Sequence, residues 1–174
     1  MEPLNESGSN PHPHKENTTM KYDDASWHYE GDFPENLPRE AGATHAGLFV
    51  AWMLSNGFAS EELIDDFSDD LEALQDGTLT GPVFVMTVLD EKFTSDELTD
   101  EGNAFTLAYY QGQDNDSTYV DDYLQALNLT QEQIYTASDD SQNYEALSPI
   151  IAKRLEQWRA LGRPEFMPSP STPV

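Results

Sequence analysis

A run of apolar residues from Ala46 to Leu54 constrains the fold more than any other feature of this sequence. The pattern around it predicts a helix over residues 43–56, ended by Gly57 in the left-handed conformation. This helix is apolar on every side, and such a helix lies in the middle of a bundle of other helices. Although the uncharged stretch 41–60 has the length of a membrane span, its continuous apolar part is too short to cross a bilayer.

The remaining apolar patterns predict further helices, each with a start or stop signal of its own. Residues 83–88 are β-branched enough for a strand, but Pro82 suits a first helical turn and no partner strand is evident, so a helix is preferred. The predicted helices run from Ser60 to Gly77, from about Val83 to Asp90, from Asp100 or Glu101 through Tyr109, over residues 119–124, and from Ser148-Pro149 to Leu161.

The predicted fold is therefore all-α: a single compact domain of five or six helices. Residues 22–38 are aromatic and interrupted by glycine and proline, so we expect an ordered irregular segment with one helical turn. Residues 1–20 and the proline-rich residues 162–174 are predicted to be disordered tails. The acidic helical domain then spans residues 21–161.

Composition excludes several kinds of function. The 174 residues include no cysteine, so disulfides, thiolate metal sites and cysteine nucleophiles are ruled out. With 33 acidic residues against eight basic ones, the formal charge is −25. Such a chain is repelled by nucleic acids and anionic lipids, so we predict neither as a direct partner.

The acidic residues are concentrated rather than dispersed. In the second predicted helix they lie opposite the apolar stripe, and further acidic pairs follow along the chain. A solvated face that keeps the protein soluble, or adaptation to a salt-rich cell, would also explain them. However, solubility needs a net charge of only about 2–8, so we expect a complementary basic partner. The residues predicted to contact it are Glu62, Asp65, Asp66, Asp69, Glu72, Asp76, Asp96, Glu97, Asp121 and Asp122.

Motifs for catalysis are weak. The sequence has no glycine-rich phosphate loop, zinc-binding His-Glu-x-x-His helix or Gly-x-Ser-x-Gly nucleophile elbow. His28 and His45 could join Asp23 or Asp24 as an acid–base or metal set, but a structural, hydrogen-bonded role is the preferred interpretation. We therefore predict no enzyme activity, no cofactor and no metal.

Several short motifs together resemble an uncharacterised family of small acidic bacterial proteins. They are YDDASWHY at residues 22–29, GDFP at 31–34, GATHAG at 42–47, DEKFT at 90–94, EGNAF at 101–105 and YVDDY at 119–123. Members of that family look like immunity proteins of polymorphic or type VI secretion toxins. The resemblance covers about residues 21–161 and carries no catalytic set.

The resemblance and the charge together predict an immunity protein that binds a cytosol-acting secreted toxin and occludes a basic active site with its acidic surface. On this view a monomer binds the toxin one to one, and the aromatic motif is scaffold rather than contact. The alternative is an acidic nucleic-acid mimic that inhibits a DNA-binding protein or nuclease. Because residues 1–19 lack a basic start followed by an apolar stretch, a cytoplasmic location is expected.

Overall fold

A computed structural model describes residues 18–168, and this part of the chain forms one compact helical domain. It contains seven α-helices and one small antiparallel sheet, which confirms the predicted all-α class. In chain order the elements are β1 (Lys21–Asp24), α1 (Ala25–Tyr29), α2 (Thr44–Ser55), α3 (Glu61–Asp76), α4 (Gly81–Thr87), β2 (Lys92–Thr94), α5 (Asp100–Thr106), α6 (Thr118–Ala126) and α7 (Ser141–Ala160).

Helix α2 is the centre of the domain, as its all-round apolar sequence predicts. Every residue from Thr44 to Leu54 is buried, and the side chains of Phe49, Val50 and Met53 are fully enclosed. Helix α4 lies directly against it, because Gly47 and Gly81 bring the two backbones together. A Cβ placed on Gly47 would lie only 2.3 Å from the backbone nitrogen of Pro82.

Helix α3 has the predicted start and end. The Ser60 hydroxyl caps it by accepting a hydrogen bond from Leu63 N over 3.1 Å, and Gly77 ends it with φ of 84°. Its apolar stripe is covered only in part. Leu63 and Leu74 are buried, whereas Ile64 is 47% exposed.

Two parts of the fold differ from the predictions. Helix α7 begins at Ser141 rather than at Ser148-Pro149, because the Asp140 carboxylate caps it by accepting from Asn143 N over 2.9 Å. Pro149 lies inside the helix, where burial of Leu147 and Ile151 on its inner face offsets one missing hydrogen bond. The sheet was not predicted: β1 pairs with the distant β2, with Asp23 opposite Phe93.

Helix α5 continues into a π-helical segment, Leu107–Gln111, that ends at Gly112 with φ of 72°. This segment carries two buried tyrosines, Tyr109 and Tyr110, on a helix with i→i+5 hydrogen bonding.

Both ends of the described range contact the domain. Met167 N donates to Ala108 O over 3.1 Å, and the Trp158 indole donates to Pro164 O over 2.9 Å. Met20 N donates to the Ser95 hydroxyl over 2.9 Å. The rest of the predicted tails, residues 1–17 and 169–174, lies outside the described residues. No helix from 18 to 168 combines the length and apolar character that crossing a membrane requires.

Candidate functional site

The acidic residues predicted on α3 form one exposed surface, which we call the α3 acidic face. Backbone geometry departs from that of a helix at Phe67 (φ −132°, ψ 36°), and members of the face lie on both sides of this residue. All are exposed, and none of them forms an ion pair with a residue in the described range. The members are Glu62, Asp65, Asp66, Asp69, Glu72 and Asp76.

Asp96 and Glu97 lie close to the first turn of this face. Asp96 and Asp100 line a depression of about 530 Å³ together with Glu62. Glu97 is half-buried and accepts a 2.6 Å hydrogen bond from Thr94 N. Burial raises the pKa of Glu97 to about 7, with a smaller contribution from the Asp96 charge. Asp96 and Asp100 thus place further exposed carboxylates beside the α3 acidic face, whereas the Glu97 side chain is partly buried.

Asp121 and Asp122 are neighbours in sequence but differ in environment. Asp121 is exposed and lines a separate cavity together with Asp116. Asp122 is 7% exposed and is held by Arg154, whose Nε lies 2.8 Å from Asp122 Oδ2. The Tyr109 hydroxyl donates to the same oxygen over 2.8 Å. Asp122 is therefore an internal ion-pair partner, which corrects its assignment to a contact surface.

A second cluster of polar side chains forms where β1, α1 and α2 meet. We call it the Asp-His cluster, and its members are Asp23, His28 and His45. Asp23 enters from the end of β1, where pairing with β2 positions the backbone. His28 follows on α1, which begins because the Asp24 carboxylate caps it by accepting from Ser26 N over 3.0 Å. His45 lies in the first turn of the buried helix α2.

Hydrogen bonds join the three side chains through the Asp23 carboxylate. His28 Nε2 lies 2.7 Å from Asp23 Oδ1, and His45 Nε2 lies 3.2 Å from Oδ2. The two imidazole rings meet edge to face with centroids 4.6 Å apart. His28 therefore contacts the first turn of α2, whereas its neighbour Trp27 points toward solvent. Trp27 is 56% exposed, and Lys21 Nζ lies 5.2 Å from the centroid of its ring.

Two tyrosines complete the hydrogen bonding around the Asp-His cluster. The Tyr110 hydroxyl, brought in by the π-helical segment, donates to Asp23 Oδ2. The Tyr135 hydroxyl lies 2.7 Å from His28 Nδ1. Neither contact could be predicted, because each joins segments far apart in the chain and no local pattern marks either tyrosine.

The electrostatics keep Asp23 ionised. Burial alone would raise the pKa of Asp23, but hydrogen bonds from His28 and His45 and the electrostatic influence of both rings lower it well below its usual range. Burial and the Asp23 charge together raise the pKa of Tyr110 well above its usual value, so this hydroxyl remains a donor. A carboxylate is thus held charged inside the domain beside two imidazoles.

The Asp-His cluster opens onto a cavity of about 510 Å³. Asp116 and Asp121 also line this cavity, and no lysine or arginine does so among the described residues. Two buried polar atoms of lining residues, His45 Nδ1 and Gln111 Oε1, have no hydrogen-bond partner within residues 18–168. The cavity therefore offers acceptor atoms and negative charge, a chemistry suited to a cation or to proton transfer.

Comparison with known proteins identifies a family but no function. A family model described as a domain of unknown function, DUF7832, matches residues 21–137, a range that includes the Asp-His cluster and the α3 acidic face. Neither the curated proteins nor the solved structures yielded a match. Since the family model covers about two thirds of the chain, this protein belongs to the DUF7832 family.

Proposed function

We propose that this protein is an immunity protein that binds a secreted toxin and blocks its basic active site with the α3 acidic face. The observation that carries the proposal is that this face is exposed and free of ion pairs within the described domain. Between residues 18 and 168, six lysines and arginines form ion pairs, and each pairs with an acidic residue outside α3. The negative charge of α3 is therefore left for another molecule.

This concentration of charge costs stability. Eight of the sixteen residues of α3 are acidic, none is basic, and five acidic pairs lie four positions apart. Each such pair destabilises a helix by roughly 0.2–0.5 kcal/mol, so together they cost about 1–2.5 kcal/mol. Acidic residues in the first turn recover part of this through the helix dipole. A cost of this size supports a role in binding over simple solubility.

An apolar groove lies beside the α3 acidic face and would supply binding energy. It has a volume of about 270 Å³ and is lined by Leu54, Ile64 and Leu71, with Glu72 shared between groove and face. The half-exposed Ile64 is available to a partner, and apolar anchors ringed by polar groups commonly dominate binding energy. Charges at the rim chiefly accelerate association and select the partner.

The spacing of the carboxylates indicates what kind of basic site they would fit. A regular helix rises about 21 Å over the span from Glu62 to Asp76, or about 4 Å per carboxylate, and α3 departs from this regular geometry only at Phe67. One strand of DNA carries a phosphate about every 3.4 Å. The α3 acidic face therefore resembles a nucleic-acid strand in charge density, which favours a toxin that acts on nucleic acids. The same resemblance suits the alternative, a mimic that inhibits a host DNA-binding protein.

The proposal is tested with two variants of equal charge. One carries Asp65→Lys, Asp69→Lys and Glu72→Lys on the α3 acidic face. The control carries Glu132→Lys, Glu145→Lys and Glu156→Lys, at exposed positions away from α3. Both raise the net charge by six, so a difference between them reports local contact rather than overall charge.

The partner is isolated by cross-linking in the source cells, and its association rate is measured by surface plasmon resonance at several salt concentrations. We expect the α3 variant to associate at least about tenfold more slowly at low salt and to stop protecting cells from the toxin. We expect the control variant to do neither. Equal association rates for the two variants would show that α3 does not contact the partner. Capture of a chromosomal DNA-binding protein instead of a toxin would favour the mimic.

A further inference from the structure

We propose that Asp23, His28 and His45 bind a divalent first-row transition-metal ion, with a coordination position left open to the adjoining cavity. This proposal is independent of the α3 acidic face. It replaces the sequence-based expectation of no metal, because the structure brings the three side chains of the Asp-His cluster together.

The geometry is close to that of a metal site. One carboxylate oxygen of Asp23 and one ring nitrogen of each histidine lie within 4.8 Å of one another. Bonds of about 2.0–2.1 Å place the ligand atoms of a tetrahedral site roughly 3.3 Å apart. Binding would therefore require the side chains to rotate until these atoms, now up to 4.8 Å apart, surround the ion at about 3.3 Å from one another. Two imidazoles and one carboxylate suit zinc, iron or cobalt better than calcium or magnesium, which prefer oxygen ligands.

Two of the three side chains also have the support that ligands need, whereas His45 Nδ1 has no hydrogen-bond partner within residues 18–168. A histidine that coordinates through Nε2 carries its proton on Nδ1, and for His28 the Tyr135 hydroxyl lies 2.7 Å from that atom as an acceptor. The Tyr110 hydroxyl and Asp24 N both donate to the Asp23 carboxylate and hold it in place. Asp23 and His28 are thus oriented before any ion arrives.

The charge around the Asp-His cluster favours a cation. In the described residues no lysine or arginine pairs with Asp23, whose ionic contacts are the two histidines alone. Asp116 and Asp121 add negative charge to the lining of the same cavity. A divalent ion would neutralise a buried carboxylate that is otherwise balanced only by imidazoles.

The cavity explains why one position would remain open. Three protein ligands with a water in the fourth position are typical of catalytic rather than structural zinc sites. Gln111 Oε1 is buried at this cavity and accepts no hydrogen bond within the described range. A coordinated water is a donor of the kind that this oxygen lacks. The site would therefore be accessible to a small molecule rather than closed.

The test uses the full chain, stripped of metal with a chelator and then titrated with zinc chloride by isothermal calorimetry. We expect one zinc ion per chain for the wild type. Because loss of a mere supporting group costs roughly 10–100-fold in metal affinity, loss of a ligand in His28→Gln or Asp23→Asn should cost at least 100-fold. The control is His12→Gln with His14→Gln, which removes the only other histidines in the sequence and should bind as the wild type does.

Cobalt chloride gives a second readout, since four-coordinate Co²⁺ absorbs visible light far more strongly than six-coordinate Co²⁺. We expect strong absorption for the wild type and its loss in His28→Gln. Circular dichroism verifies the fold of each variant, and the wild-type titration remains decisive if a variant does not fold. No stoichiometric uptake by the wild type, or unchanged affinity in a folded His28→Gln, would show that the Asp-His cluster is only a hydrogen-bonded structural network. Loss of binding in the His12 and His14 variant would place the metal on the N-terminal residues and overturn the proposal.

Discussion

Replacing Arg154 with methionine should destabilise the domain by about 3–5 kcal/mol, because it leaves a buried carboxylate without its counter-ion. Asp122 is 7% exposed, and Arg154 binds its two carboxylate oxygens through hydrogen bonds of 2.8 and 2.9 Å. Without the guanidinium, the Tyr109 hydroxyl remains as a neutral donor to the carboxylate. One neutral donor does not compensate a full charge held away from water.

Arg159 on the same helix provides a comparison, because its ion pair is exposed. Its Nε lies 2.8 Å from Glu101 Oε1, the same separation as in the buried pair, but the two side chains are 41% and 35% exposed. Exposed pairs contribute about 0–1 kcal/mol, so Arg159→Met should have little effect. The carboxylate of this pair is more exposed than Asp122, and Arg163 Nη2 also lies 3.2 Å from Glu101 Oε1, so Arg159→Met leaves a solvated carboxylate that keeps a partner.

Both variants are measured by urea unfolding and by thermal unfolding, followed by circular dichroism. At roughly 2–4 °C per kcal/mol for a domain of this size, the Tm should fall by about 6–20 °C for Arg154→Met and by no more than about 4 °C for Arg159→Met. Adding Asp122→Asn to Arg154→Met should restore part of the loss, because a neutral amide is less costly to bury. Similar small losses for both arginines would refute the reasoning.

Three further predictions follow from single contacts. Tyr135→Phe removes the hydroxyl beside His28 Nδ1 and should weaken zinc binding by roughly 10–100-fold in a chelator competition assay, whereas unchanged affinity would argue against a ligand role for His28. The folded-state pKa of Glu97, about 7, lies above the usual value of 4.5, so the stability that this group contributes is complete below pH 4.5 and is lost as pH rises to 7. Relative to the wild type, Glu97→Gln should therefore be more stable at pH 7.5 than at pH 5 in urea unfolding, and a pH-independent difference would contradict this. Gly47→Ala should destabilise by about 1–3 kcal/mol although alanine favours helices, because the new methyl group meets the Pro82 backbone; a stabilised variant would show that α2 and α4 separate easily.

Local sequence signals were sufficient for most of the helical framework. The apolar run of residues 46–54 predicted a central helix, and the Ser60 and Gly77 caps marked both ends of α3. The exposed position of the α3 acidic face followed from the same helical periodicity. These features depend on residues within one or two turns of each other, so they are visible in the sequence.

The error at α7 arose because two local signals competed. Ser148-Pro149 has the form of a helix start, but Asp140 caps a helix that begins about two turns earlier, at Ser141. Burial of Leu147 and Ile151 against the domain outweighs the hydrogen bond that Pro149 lacks. Only packing could decide between the two starts.

By itself, then, the sequence determined that the chain is a helical domain with an acidic α3, because periodicity, caps and charge act over a few residues. The tertiary structure alone decided which polar groups meet. It buried Asp122 on Arg154 and left its neighbour Asp121 exposed. It also paired β1 with β2 and placed Tyr110 and Tyr135 beside the Asp-His cluster. The residues that meet in the cluster are up to 107 positions apart in the sequence. Contacts over such distances depend on how the helices pack as a whole, and no local pattern encodes them.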